Sequence, residues 1–137
     1  VIGSEQYPKG LGGTVEPLAD LLGETPAAKD TFSCARDLGL REQLAATGRP
    51  QVVVTAIETH VCVLQTALDL LAVGYEVHVP HDAVNSRRKA DRKWALRRMA
   101  SAGAVITSTE SALFELLERC DTADFKTVAK LIKKIPV

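Results

Sequence analysis

The chain has 137 residues, 46% hydrophobic and 25% charged, with 17 Lys and Arg balanced by 17 Asp and Glu. That composition suits one globular domain, excludes disorder and collagen-like repeats, and leaves no net field toward nucleic acid or anionic lipid. No apolar run approaches the roughly 18 to 20 residues of a membrane span. The three cysteines, without a Cys-x-x-Cys pair, suggest neither a disulfide framework nor a zinc site, so a reducing, cytoplasmic setting is expected.

In chain order, Val1-Ile2 reads as the tail of a strand, with no initiator Met and no signal-peptide pattern, so the N-terminus is expected to be cut. Tyr7 to Gly13 reads as a Pro/Gly loop, and Leu38 to Ala46 as a helix closed by Gly48. Gln51 to Ile57 is short, β-branched and apolar, the pattern of a strand buried on both faces of a parallel sheet. Apolar residues at Val61, Leu64, Ala67, Leu68, Leu71 and Ala72 have helical spacing, stopped by Gly74. Glu76 to Pro80 alternates as a strand and His81 to Ser86 is a polar loop. A helix over Lys89 to Ala102, a strand over Ala104 to Thr107, and helices over Glu110 to Arg119 and Thr122 to Ile135 complete the chain. This β-α-β-α-β run predicts a doubly wound, parallel α/β sheet whose ligand site lies at the carboxyl ends of its strands.

The segment Thr55-Ala-Ile-Glu-Thr-His-Val-Cys-Val63 then carries the most chemistry. It puts Cys62 one turn inside a helix that starts at the end of a strand, where unpaired amides and the helix dipole favour a thiolate and can hold an oxyanion. Thr59 is a natural N-cap. The bland alternative is that Cys62 is a small buried hydrophobe. His60, His78, His81 and Asp82 match no common metal-ligand spacing, and no Gly-rich phosphate loop follows a strand, so neither metal nor nucleotide cofactor is expected. Asp82 suits tying loop amides and Arg87 a buried bidentate contact. Arg87, Arg88, Lys89, Arg92, Lys93, Arg97 and Arg98 face the single anion Asp91, but with only Trp94 as an aromatic they read as a solvated face, and nucleic-acid binding is not expected.

The stretch Ala56 to Arg87, with Glu5-Gln-Tyr-Pro-Lys-Gly-Leu-Gly12, Lys29-Asp-Thr-Phe-Ser33 and Thr107-Ser-Thr-Glu110, resembles the isochorismatase-like cysteine hydrolases, nearest their isochorismatase-domain-containing branch. The resemblance implies a three-layer, Rossmann-like α/β domain covering residues 1–137, lacking its N-terminal strand and helix. It implies a Cys-Lys-Asp set in which Cys62 is the nucleophile and Lys29 the electrostatic partner, while the Asp belongs to a segment before Val1. It further implies a cis peptide between Ile57 and Glu58, with the amides of Glu58 and Cys62 as the oxyanion site. Tyr7, Phe32, Thr59 and His60 fall in the matched loops and are expected around the substrate pocket. The expected activity is hydrolysis of an amide or related C–N bond of a small molecule, without cofactor, in a homo-oligomer. The rival reading is a family member without turnover that acts through protein contacts.

Overall fold

The computed structural model describes residues 1–135. The chain opens with β1 (Ser4–Gln6), α1 (Pro8–Leu11), α2 (Glu16–Leu22) and β2 (Ala27–Lys29). A 3-10 turn (Cys34–Arg36) leads into α3 (Leu38–Ala46), β3 (Gln51–Val53) and β4 (Ala56–Ile57). A π-helical turn (Thr59–Val63) runs straight into α4 (Leu64–Ala72), followed by β5 (Glu76–Pro80), β6 (Val84–Asn85), α5 (Lys89–Ser101), β7 (Val105–Thr107), α6 (Thr109–Leu117) and α7 (Ala123–Ile132). Every strand pairing is parallel: β1 with β2, β3 with β5 and β5 with β7, and β4 with β6. The fold is the α/β class expected.

The core lies between β5 and the two helices that flank it in sequence. Val63, Leu64, Ala67 and Leu70 meet Val77 and Val79 of β5, Val84, and Ala95 and Met99 of α5. Alternation explains the strand and a four-residue period the helices, so each element turns one apolar face inward. Gly74, at φ 93, ends α4 in a left-handed turn that a Cβ would strain. Side-chain oxygens cap three helices: Asp37 accepts from the Leu40 amide at 3.0 Å, and Ser108 and Thr122 accept from the Ser111 and Phe125 amides at 3.1 Å.

Several expectations need correction. Val1-Ile2 is not a strand; the first strand is Ser4–Gln6, and it pairs with Ala27–Lys29, which no periodicity marked. The Pro/Gly loop contains a helical turn, Pro8–Leu11, set up by a left-handed Tyr7 at φ 41. The run Gln51 to Ile57 is two short strands with different partners, because after Val54 donates to the His78 carbonyl the chain leaves β5 and pairs with β6. Nor is that run buried on both faces. Val53 is 50% exposed, β3 being the outer strand of the order β3-β5-β7, and Ile57, in the two-stranded pair β4-β6, is 73% exposed. Val53, His78 and Val105 stand in one register row opposite the face that α4 and α5 cover, and Val105 is 48% exposed there.

Candidate active site

Pairing of β1 with β2 sets Gln6 directly beside Lys29. The Lys29 ammonium is held from three directions: it donates to Gln6 Oε1 at 2.5 Å, to the Thr31 carbonyl at 2.8 Å and to the Phe32 carbonyl at 3.1 Å. Only 5% of Lys29 is exposed, whereas an ordinary lysine keeps its head in water. Gln6 is fixed in turn by donating from Nε2 to the Asp30 carbonyl at 3.0 Å, and the Tyr7 amide donates to the Lys29 carbonyl at 3.0 Å. Tyr7 and Phe32 are exposed on either side of this loop. The Tyr7 ring lies so close over Gly10 that a Cβ there would collide with it.

Cys62 belongs to the π-helical turn and is half-buried. The Val61 and Val63 amides both donate to the Glu58 carbonyl, which closes the turn, and the Ile57–Glu58 peptide is cis. Glu58 rather than Thr59 is the cap residue; Thr59 lies inside the turn, fully buried, and its Oγ1 has no partner among the described residues. Three contacts fasten the loop after Lys29, two to the helix of Cys62 and one to β1. The Cys34 amide donates to Thr66 Oγ1 at 2.9 Å, one turn beyond Cys62; Cys34 Sγ lies 3.3 Å from Ser4 Oγ; and Arg36 Nε donates to Asp69 at 2.7 Å. The Arg36 guanidinium, chiefly through this hydrogen bond, holds the Asp69 carboxyl below the usual carboxylate range.

His60 is directed elsewhere. Its Nδ1 lies 3.0 Å from Ser86 Oγ, and its Nε2 lies 3.6 Å from Glu58 and 4.0 Å from Asp91. Residues two apart on a helical turn point to roughly opposite sides, so His60 faces α5 while Cys62 faces away from it. The His60 ring thus lies on the Ser86 and Asp91 side of the turn.

The isochorismatase domain model matches residues 7–111. The chain belongs to the isochorismatase family. It is 44% identical to isochorismatase domain-containing protein 1 of Salmo salar, over 97% of this chain and 47% of that protein. It is 42% identical to the secreted isochorismatase effector Isc1 of Phytophthora sojae, over 98% of this chain and 66% of that protein. A solved structure described as MAR1 ribonuclease from Caenorhabditis elegans superposes with a TM-score of 0.88 at 41% identity, covering 99% of this chain and 74% of that one. The chain thus spans about half to two-thirds of the curated relatives it matches. One of them is secreted, so family membership does not fix a compartment; no helix among the described residues is long and apolar enough to cross a membrane.

Within this isochorismatase-family chain, residues outside the expected site also hold it together. Gln6 stood in the matched Glu5-Gln-Tyr-Pro element, and its register with Lys29 depends on strands too short to show a period. Asp82 does tie loop groups: its Oδ1 accepts from the Thr109 amide at 2.8 Å and from Thr109 Oγ1 at 3.0 Å. The inward arginine contact expected of Arg87 is made by half-buried Arg92, whose Nε donates to the Val84 carbonyl at 3.0 Å while another of its nitrogens reaches the His81 carbonyl. Arg87 is exposed and pairs with Glu58 at 3.3 Å.

Proposed function

We propose that this chain carries the nucleophile, Cys62, of a hydrolase that cleaves an amide or related C–N bond of a small molecule. The thiol proton passes to a carboxylate base that the family resemblance puts before Val1, and Sγ adds to the carbonyl carbon. The Glu58 and Cys62 amides receive the oxyanion. The C–N bond then breaks, the proton goes to the leaving amine, and one water hydrolyses the thioester to free acid and thiol. The exposed rings of Tyr7 and Phe32 border the substrate, with buried Thr59 packed within the turn; metal and cofactor have no part in the scheme.

The observation that carries this reading is Lys29. Its three N–H groups are matched by three neutral oxygens, and among the described residues no carboxylate pairs with it. A saturated ammonium acts through its charge, not by donating to substrate. A buried cation without a counter-charge costs several kcal/mol, which an arriving anion offsets. The base, the Cys62 thiolate and the developing oxyanion are each anions of the proposed cycle. Amine release from a panel of small amides tests this with the full-length protein: Cys62→Ala should lower turnover at least a thousandfold with unchanged circular dichroism, and undiminished turnover would refute it.

The exposed valine row supports a further element of the proposal, an additional strand and helix of the same protein against β3 and the uncovered sheet face. Val54 donates to β5, so the Val53 amide alternates to the free edge. Strong hydrogen-exchange protection of Val53 in the full-length protein is expected, and free exchange there would remove the added strand. The proposal keeps a cytoplasmic homo-oligomer as its setting. The rival reading, a family member without turnover acting through this apolar surface, is favoured if the full-length protein carries no carboxylate to meet Lys29.

A further inference from the structure

Helix α5 presents a surface that the hydrolase reading leaves unused. Lys89, Lys93 and Arg97 follow one another at four-residue intervals, and Arg88 precedes Arg92 by the same interval. Residues so spaced are neighbours on a helix, and like charges there destabilise it by about 0.2–0.5 kcal/mol per pair. A merely solvated face would interleave acids; here Asp91 is the single anion between Arg87 and Arg98. Arg88, Lys89, Lys93, Arg97 and Arg98 are all exposed, and among the described residues none is in an ion pair. The charge of the chain sums to zero, but along α5 it is segregated.

Two structural observations separate this face from a plain cationic patch. Trp94 is 63% exposed in the middle of it, and the Arg97 guanidinium lies 5.0 Å from the ring centroid. Beside the ring is a cavity of about 210 Å³ lined by His60, Leu64, Asp91, Trp94, Ala95 and Arg98. Leu64 and Ala95 give it an apolar floor. His60, Asp91 and Arg98 give it donors and acceptors, and the Asp91 carboxylate disfavours a phosphate while accepting from a base N–H, an imide included.

We propose that α5 is a platform for single-stranded nucleic acid, with one base stacked on Trp94 over this cavity and the flanking phosphates held by Lys93, Arg97 and Arg98. An exposed aromatic ring set in a basic track is the arrangement that binds unpaired strands with little regard to sequence. The row advances about 6 Å per four residues, a step on the scale of consecutive phosphates in an extended strand. A lipid surface fits less well, because the face lacks the apolar stripe that an interfacial helix needs. The expectation from whole-chain charge that nucleic acid is not a partner is thereby revised for this helix.

Trp94 is the single tryptophan of this sequence, so its emission reads the site directly. The full-length protein is titrated with a 12-nucleotide oligo(U) and with inorganic polyphosphate, using Trp94→Leu to isolate the Trp94 signal and anisotropy of labelled oligo(U) to measure binding by every variant. Saturable quenching by oligo(U) is expected, weakening steeply between 50 and 200 mM salt as counterion release requires. Trp94→Leu should weaken binding roughly tenfold through lost stacking, and Arg97→Gln with Arg98→Gln at least tenfold. Absent quenching, oligo(U) affinity unchanged by Trp94→Leu, or polyphosphate binding as tightly as oligo(U) would each overturn the proposal.

Discussion

Replacing Lys29 by methionine keeps most of the side-chain stem while deleting the ammonium. The residue is 5% exposed and its three contacts run at 2.5, 2.8 and 3.1 Å, so the change leaves Gln6 Oε1 and the Thr31 and Phe32 carbonyls short of a donor in a closed site. Each buried acceptor left unmade costs about 1–3 kcal/mol. Three such acceptors together would cost about 3–9 kcal/mol; water reaching part of the loop through exposed Phe32, the apolar burial that methionine recovers and the relief of a buried, uncompensated charge bring the net loss to the low end, at about 3 kcal/mol. For a chain of this length that corresponds to a fall in melting temperature of roughly 10 °C and of about 1.5 M in the urea midpoint. Urea titration of native protein and Lys29→Met, followed by circular dichroism, measures it. A loss below about 0.5 kcal/mol, the usual effect of changing a surface lysine, would refute the argument that the ammonium is locked among these oxygens. Lys29→Met should also abolish turnover in any assay that detects it, including when stability is restored by cooling.

The Asp69 carboxyl is held low by Arg36, so its contribution is present above the ordinary carboxylate pKa of about 4 and lost as pH falls below it; Asp69→Asn should cost about 0.5 kcal/mol at pH 7 and nothing near pH 2, as urea titrations at both pH values will show. Met99→Ala, at a fully buried position of α5 in the core cluster, should destabilise by about 2–5 kcal/mol, with urea unfolding as the check. Asp82→Ala removes the acceptor of the Thr109 amide and should cost about 1 kcal/mol, seen as faster hydrogen exchange at Thr109.

The elements that sequence alone located are those with enough residues to show a period. Glu76–Pro80 and Leu38–Ala46 coincide with β5 and α3, and α5, α6 and α7 differ from expectation by a few residues at their ends. The strands it missed, Ser4–Gln6, Ala27–Lys29 and Val84–Asn85, are two or three residues long and largely polar or small, and so carry no readable alternation. The π-helical turn at Thr59–Val63 follows from hydrogen bonds to one carbonyl, which no apolar spacing reports.

The site divides in the same way. Cys62 stood out because its chemistry depends on local position, at the start of a helix after a strand. Burial of Lys29 depends on pairing between residues 4–6 and 27–29, and nothing local signals it. Which of two nearby arginines reaches inward, Arg92 rather than Arg87, is decided by where the Val84 and His81 carbonyls lie in space. His60 shared a motif with Cys62, but two residues of helical rotation carried it to the other side.

The nucleophile is tested most directly by the order in which the three thiols react. The full-length protein, folded and at pH 6.5, is treated with limiting iodoacetamide, and each cysteine's labelling is followed by peptide mass mapping. Accessibility alone favours Cys120, which is exposed while Cys62 and Cys34 are half-buried. Preferential labelling of half-buried Cys62 ahead of Cys120, slowed several-fold by Lys29→Met, is the result expected if the turn and the buried ammonium activate it. Labelling of Cys120 first, with Cys62 no faster than Cys34, would contradict the account.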